Sequence, residues 1–216
     1  EGITRLQSED IRYAEKLGYR IKLLGITRRR QEGGRTLGIE LRVHPTLIPA
    51  TRLIANVEGA MNAVWVKGDA VGHTMYYGKG AGSEPTASAV IADLVDVARA
   101  VTVDPDHRVP YLAFQSDALA DVPVLPIDEV ETAYYLRVRV ADEPGVLADI
   151  TRLLADARIS IDAVLQREPA EGENATDLIL LTHRSIEGRV QSAIQRIEAL
   201  PTVLSSVSLI RLEDLN

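Results

Sequence analysis

The sequence has no cysteine, which excludes disulfide bonds, thiolate zinc sites and cysteine nucleophiles. This absence is compatible with a reducing cytoplasm, where we expect the chain to reside. Aromatic residues make up only 4% of the chain, which argues against a surface on which nucleic-acid bases stack. No apolar run approaches the roughly 18 residues that a membrane-spanning helix requires. We therefore expect a globular protein with neither nucleic-acid nor membrane partners.

The charge balance supports the same exclusion. The formal net charge is −7, whereas phosphate binding usually needs a basic surface. The one basic cluster, Arg28, Arg29 and Arg30, stands just before the glycines 33 and 34, which favours a solvated hairpin end. The chain begins with Glu1 rather than Met and has no signal sequence, so we expect a processed or truncated product.

The first half of the chain predicts a mostly antiparallel sheet with covering helices, an α+β fold. Ser8 is a suitable N-cap for a helix that Gly18 would end. Apolar and polar residues alternate over 19–23 and 37–43, with a glycine turn between them, which predicts a hairpin with one buried apolar face. Residues 63–78 predict a second hairpin with Trp65 in its core.

A helix follows the second hairpin. Its apolar residues recur at helical spacing on one face, namely Val90, Leu94, Val97 and Val101. From about residue 103 to 131 four prolines interrupt the pattern, as in a linker.

The last part of the chain predicts a regular βαββαβ order, typical of a ferredoxin-like sandwich. Strands are expected near 134–140, 159–167, 178–181 and 203–211, and helices after Gly145 and from a cap at Ser185. A polar turn is expected at 168–174. This order indicates the fold but not the function, because the fold supports many activities.

Two glycine-containing loops are candidate anion sites. Residues 78–82 connect a strand to a helix, where glycines allow close backbone approach and helix N–H groups attract anions. Neither the GxxxxGK[ST] nor the GxGxxG pattern is present, and a plain glycine turn is the somewhat more favoured reading. Residues 142–147 form a similar strand-to-helix loop, for which ordinary capping is the simpler alternative.

Metal chemistry is not indicated. The spacing of the four histidines pairs no ligands on one element, so we expect surface or strand-edge positions and no metal site. They are His44, His73, His107 and His183.

Residues 54–102 resemble the C-terminal part of the catalytic domain of homoserine dehydrogenases. The resemblance rests on residues 56–64, 68–72, 78–82, 85–90 and 93–99, with further similarity at 1–4 and 18–25. It implies reduction of aspartate 4-semialdehyde to homoserine with NADPH or NADH. It also implies that the loop residues Gly78, Gly80, Ala81 and Gly82 lie near the nicotinamide end of the cofactor.

Residues from about 133 to 216 resemble an ACT domain, an amino-acid-sensing module. The resemblance rests on residues 142–147 and 160–166. The positions that match effector-binding residues of related domains are Asp142, Gly145, Val146, Leu147, Ile161 and Gln166.

The two resemblances imply a domain order of 1–105 for the rear of a catalytic and dimerisation domain, 106–131 for a linker and 132–216 for the ACT domain. The family's catalytic residues all precede the position of Glu1, so no catalytic residue is assigned and the chain alone is expected to be inactive. The implied partners are homoserine or aspartate semialdehyde, a threonine effector, and further copies of the chain in a homodimer or homotetramer. The alternative is a stand-alone ACT-type regulatory protein that binds an amino acid.

Overall fold

The computed structural model describes residues 2–103, 117, 119–167 and 172–215. The chain divides into two compact units, residues 1–55 together with 122–216, and residues 56–121. Much of the predicted linker 106–131, with His107, and part of the predicted turn at 168–174 lie outside the described residues.

The first unit begins with a helix and a long hairpin. Helix α1 spans Ser8–Lys16, strand β1 spans Tyr19–Glu32 and strand β2 spans Arg35–Pro49. The strands pair antiparallel around two glycines with φ of +55° and +80°, which confirms the predicted hairpin. The predicted Ser8 cap is wrong by one residue: Gln7 is the N-cap, and its backbone N–H donates to the Asp10 carboxylate.

The predicted burial of β2 is inverted. Leu41 and Val43 are 54% and 56% exposed, whereas Glu40, Arg42 and His44 are at most 6% exposed. The alternation correctly indicated a strand with two unlike faces, but the polar face is the one that lies inside. This is possible because the buried charges pair with one another and with a carboxylate near the end of the chain.

The C-terminal module has the predicted βαββαβ order. Its main elements are β5 (Glu131–Ala141), α3 (Val146–Asp156), β6 (Ile161–Gln166), β7 (Ala175–Thr182), α4 (Glu187–Glu198) and β9 (Ser208–Leu212). The two-residue strand β8 (Ser185–Ile186) pairs with β5, so Ser185 is in a strand and Ile186, not Ser185, is the N-cap of α4. The last strand begins at Ser208 rather than at the predicted Val203, which forms only an isolated bridge with Val140.

One sheet runs through the hairpin and the C-terminal module. Its strand order is β1-β2-β9-β5-β7-β6, and β2 pairs in parallel with β9 at Thr46–Arg211 and Leu47–Leu212. Helices α3 and α4 cover one face through a core that includes Ile150, Leu154 and Ile197. A second core contains Tyr13 of α1 together with residues of β2, β5, β7 and β9.

This arrangement confirms the α+β fold with a mostly antiparallel sheet. The compact units differ from the predicted division into 1–105, 106–131 and 132–216, because the β2–β9 pairing places the hairpin in the same sheet as the C-terminal module. The division by family stays a prediction.

The second unit contains β3 (Met61–Gly68), β4 (Gly72–Lys79) and α2 (Ser83–Thr102). Strands β3 and β4 form the second predicted hairpin. Trp65 does not occupy the expected core position: it is half-buried and stacks on His73 with ring centroids 4.8 Å apart. The predicted apolar face of α2 is exposed within the described chain, since Val90, Leu94, Val97 and Val101 are each more than half exposed. None of the described helices has the length and apolarity to cross a membrane.

Candidate functional site

The glycine loop between β4 and α2 is an exposed turn. It carries all four residues predicted to approach a cofactor, Gly78, Gly80, Ala81 and Gly82. The N–H of Gly80 donates to the Ala60 carbonyl at 3.3 Å, and a Cβ at Gly80 would lie 2.0 Å from Nδ2 of Asn62. Gly80 therefore allows the loop to pack closely against the neighbouring strand.

The start of α2 depends on a second glycine. Gly82 has a φ of +126°, and its carbonyl accepts the N–H of Thr86 at 3.1 Å. Pro85 has no N–H, so the first turn presents only the N–H groups of Ser83 and Glu84. The loop thus combines a strand end, an exposed backbone and a helix N-terminus, which is a geometry that suits an anionic or polar ligand group.

The loop between β5 and α3 has the corresponding form in the C-terminal module. Gly145 is the N-cap of α3 with a left-handed φ of +97°, and it is preceded by the exposed Asp142. The N–H of Asp142 donates to the Asn174 carbonyl at 3.0 Å, which holds the loop against the residue that directly precedes β7. Val146 is 4% exposed and enters the core, whereas Leu147 is 37% exposed.

The strand register brings some of the other predicted effector residues to this loop. Gln166 pairs with Leu178, which pairs with Val138 near the end of β5, so Gln166 lies toward the same end of the sheet as Asp142. Ile161 begins the same strand and pairs with Thr182 at its other end. Gln166 is five positions after Ile161 along the extended strand, which corresponds to roughly 16 Å. Within one chain, Ile161 is therefore apart from the remaining five predicted positions.

A buried ion cluster connects the hairpin to the C-terminal module. Glu213 is 2% exposed and accepts hydrogen bonds from Arg42 at 2.5 Å and from Arg28 at 2.8 Å. Burial alone would raise the pKa of Glu213, but Arg42 and Arg28 outweigh it and hold that pKa below its usual range. The predicted solvated hairpin end is therefore wrong for Arg28 and Arg30, since Arg30 pairs with the buried Glu40 at 3.1 Å.

A second buried pair holds α4 to β9. Arg211 contacts both carboxylate oxygens of Glu187, at 2.6 and 2.8 Å, and the Tyr134 hydroxyl donates to the same carboxylate at 3.0 Å. Desolvation opposes ionisation of Glu187, but the donors from Arg211, Gln191 and Tyr134 leave its pKa lowered. Burial and the nearby Glu187 charge raise the pKa of Tyr134.

A third buried pair holds α1 on the sheet. Asp10 is fully buried and accepts Nε of Arg137 at 2.6 Å, the Tyr135 hydroxyl at 3.0 Å and the Ser208 hydroxyl at 3.0 Å. Asp10 has two functions, because the same carboxylate also caps α1. The local sequence pattern gave no indication of these contacts, because Arg137 and Ser208 are distant from Asp10 in sequence.

Three of the four histidines, His44, His73 and His183, lie among the described residues. His44 is buried and accepts a hydrogen bond from Arg42 at 3.1 Å, which corrects the expected surface position. His73 and His183 are exposed, as expected. Within the part of the chain that the structure describes, no group of three or more His, Cys, Asp or Glu side chains could hold a metal ion.

Comparison with known proteins identifies both segments. Residues 1–95 match the family model for homoserine dehydrogenase, and residues 134–202 match the model for the ACT domain. Homoserine dehydrogenases of Pseudomonas aeruginosa and Neisseria gonorrhoeae are 57% and 52% identical over the whole chain, which covers 49% and 48% of their lengths. The chain thus spans about half the length of the curated relatives it matches.

Solved structures agree with these matches. A homoserine dehydrogenase from Thiobacillus denitrificans is 66% identical with a TM-score of 0.89, over 100% of this chain and 47% of that one. A homoserine dehydrogenase from S. aureus is 27% identical with a TM-score of 0.58, over 99% of this chain and 46% of that one. Residues 1–95 are therefore a segment of the homoserine dehydrogenase family, and residues 134–202 are an ACT domain, as the sequence resemblance predicted.

Proposed function

We propose that the chain serves a homoserine dehydrogenase, which interconverts L-homoserine and L-aspartate 4-semialdehyde with NADP or NAD in the biosynthesis of threonine, methionine and isoleucine. The observation that carries the proposal is the uninterrupted similarity over all 216 residues to proteins named homoserine dehydrogenase. The cytoplasm is the corresponding site of action. A stand-alone amino-acid-binding protein is not favoured, because it would leave the dehydrogenase match over residues 1–95 without a role.

The test is a hybrid enzyme. This chain replaces the matching half of the Pseudomonas aeruginosa relative, which is 57% identical to it. We expect the hybrid to reduce NADP⁺ or NAD⁺ in the presence of homoserine at a rate within about tenfold of the parent. We expect the chain alone to show no such activity, since its sequence lacks the GxGxxG fingerprint of dinucleotide binding. A folded hybrid without activity, beside an active parent, would contradict the proposal.

Gly78, Gly80, Ala81 and Gly82 are proposed to lie beside the nicotinamide end of the cofactor. Gly78 offers the sharpest test, because a Cβ there would meet nothing within 4 Å. In the hybrid, Gly78→Ala should raise the KM for the cofactor and leave the melting temperature unchanged. An unchanged KM would remove Gly78 from the cofactor site.

The ACT loop is proposed to bind an amino-acid effector through Asp142, Gly145, Val146, Leu147, Ile161 and Gln166. The free N–H groups at the start of α3 suit the effector carboxylate. Because Ile161 and Gln166 lie at opposite ends of β6, a complete site would combine the loop of one copy with β6 of another.

Calorimetry with threonine, methionine and isoleucine tests this site. Threonine is the expected ligand, and Asp142→Ala should abolish its heat of binding. Glu143→Ala is the matched control, since Glu143 is the adjacent exposed acid. Equal effects of the two substitutions, or no heat with any of the three amino acids, would contradict the assignment.

A homodimer or homotetramer is the proposed assembly. The outward face of the first hairpin carries Leu23, Leu41 and Val43, all more than half exposed. A contiguous apolar surface of this kind is typical of a protein interface. Leu41→Glu should lower the molar mass measured by light scattering, and Thr27→Glu, directly opposite in register, should do the same. Arg35→Glu at the exposed hairpin end is the control.

A further inference from the structure

A groove of about 420 Å³ lies between the end of α3 and residues 188–196 of α4. We name it the arginine groove, because its charged lining residues are Asp156, Arg158, Arg189 and Arg196. Helix α3 spans Val146–Asp156, so the groove is at the opposite end of this helix from the proposed effector loop. At a rise of 1.5 Å per residue the two places are roughly 15 Å apart.

The arginine groove carries uncompensated positive charge. Arg196 pairs with Asp156 at 3.4 Å. Arg158 and Arg189 have no ion-pair or hydrogen-bond partner for their side chains among residues 2–103, 117, 119–167 and 172–215. Three guanidinium groups thus face one carboxylate, in a chain whose formal net charge is −7. An acidic protein that gathers arginines in a concavity has a local field opposite to its overall charge.

Arg158 also occupies a backbone conformation that favours glycine. Its φ is +58°, and its N–H donates to the Ala155 carbonyl at 2.9 Å to close the last turn of α3. Glycine is the usual residue at such a position, because a Cβ in the left-handed region is strained. Backbone strain is common at functional sites, so the strain at Arg158 indicates a function for its side chain in the groove.

We propose that the arginine groove binds a small compound bearing two adjacent phosphate groups. Guanidinium groups offer paired N–H donors that match phosphate oxygens, and two of the three are unengaged. The Ser192 hydroxyl already donates to the Gly188 carbonyl at 2.9 Å, so the arginines supply the donors. The volume is within the range of small-molecule sites. None of the residues that line the groove belongs to either loop of the proposed dehydrogenase function.

The test is a calorimetric titration of the 216-residue chain with sodium pyrophosphate at constant ionic strength. Sodium sulfate is the comparison ligand, because it is a single tetrahedral anion, whereas pyrophosphate has two tetrahedral groups joined through one oxygen. Pyrophosphate should bind at least about tenfold more tightly than sulfate, the difference expected from one additional charge-assisted contact. Equal binding of the two anions would overturn the proposal.

Three variants separate the groove from general surface charge. Arg158→Gly should weaken pyrophosphate binding by about tenfold while keeping or raising the melting temperature, since glycine relieves the backbone strain. Arg152→Ala removes an exposed arginine that lies on α3 outside the groove, and it should leave pyrophosphate binding unchanged. Asp156→Asn frees Arg196 and should tighten binding several-fold. Equal weakening by Arg158→Gly and Arg152→Ala, or no gain from Asp156→Asn, would show that the groove is not the site.

Discussion

Replacing Glu213 by Gln should strongly destabilise the unit that joins the hairpin to the ACT module. The carboxylate is 2% exposed and pairs with Arg42, which is also 2% exposed in its side chain. Removing one partner of a buried pair costs about 3–5 kcal/mol, because the other charge stays buried without compensation. Glu40 still faces Arg42 at 3.4 Å, so we expect about 2–4 kcal/mol for Glu213→Gln.

Urea unfolding followed by circular dichroism measures this loss. With a slope of about 2 kcal/mol/M, the midpoint should fall by about 1–2 M. Glu15→Gln is the matched control, because Glu15 pairs with Arg20 at 3.4 Å while 54% exposed, and it should shift stability by at most about 0.5 kcal/mol. The double variant Glu213→Leu with Arg42→Met should be more stable than Glu213→Gln alone, since it removes both fully buried members of the pair. Arg28, which loses Glu213, is one-third exposed to water, and Glu40 keeps its contact with Arg30. If Glu213→Gln shifts the midpoint no more than Glu15→Gln does, the buried pair does not join the two segments as described.

Three further changes follow from the same structure. Asp10→Asn should lower the free energy of unfolding by about 2–4 kcal/mol in the same urea assay, because it leaves the nearly buried Arg137 with only the Asp177 carboxylate, which is 4.0 Å away. A loss below about 0.5 kcal/mol would refute the docking of α1. Gly80→Ala should lower the melting temperature in calorimetry, since its Cβ would collide with the Asn62 amide and force that side chain to move; an unchanged transition would mean that the loop packs differently. Because the folded pKa of Glu213 is lowered, its stabilising effect is present above the unfolded value of about 4.5 and is lost as pH falls through the folded pKa. Wild-type stability should therefore fall more steeply as the pH drops below about 4.5 than that of Glu213→Gln, and parallel profiles would contradict this assignment.

The elements of the ACT module were predictable because its cores are apolar and periodic. Ile150 and Leu154 recur at helical spacing on α3, and both are fully buried, as are Leu178 and Leu180 on β7. Gly145 begins α3 in a left-handed conformation, which glycine adopts without strain. Local pattern and tertiary packing agree at these positions.

The inward face of β2 could not be predicted from local pattern. Periodicity indicates two faces and assigns the apolar face to the interior. Arg42 is nevertheless inside, because it pairs with Glu213, a residue 171 positions away in sequence. The partnership depends on the β2–β9 pairing, which no local signal encodes. The outward Leu41 and Val43 carried the usual signal of a core and lie instead on the surface. The separation of Ile161 from Gln166 likewise becomes visible only from the strand register.

The central claim is that the dehydrogenase-family hairpin and the ACT domain share one sheet and unfold together. Native-state hydrogen exchange tests it directly at the junction, where the N–H of Glu213 donates to the Leu47 carbonyl at 3.0 Å. The account predicts that the Glu213 amide and the paired amides in the middle of β2 exchange with the same free energy as those of β5 and β7. Exchange of the β2 and Glu213 amides at a free energy several kcal/mol below that of β5 and β7 would show that the hairpin opens independently, and would contradict it.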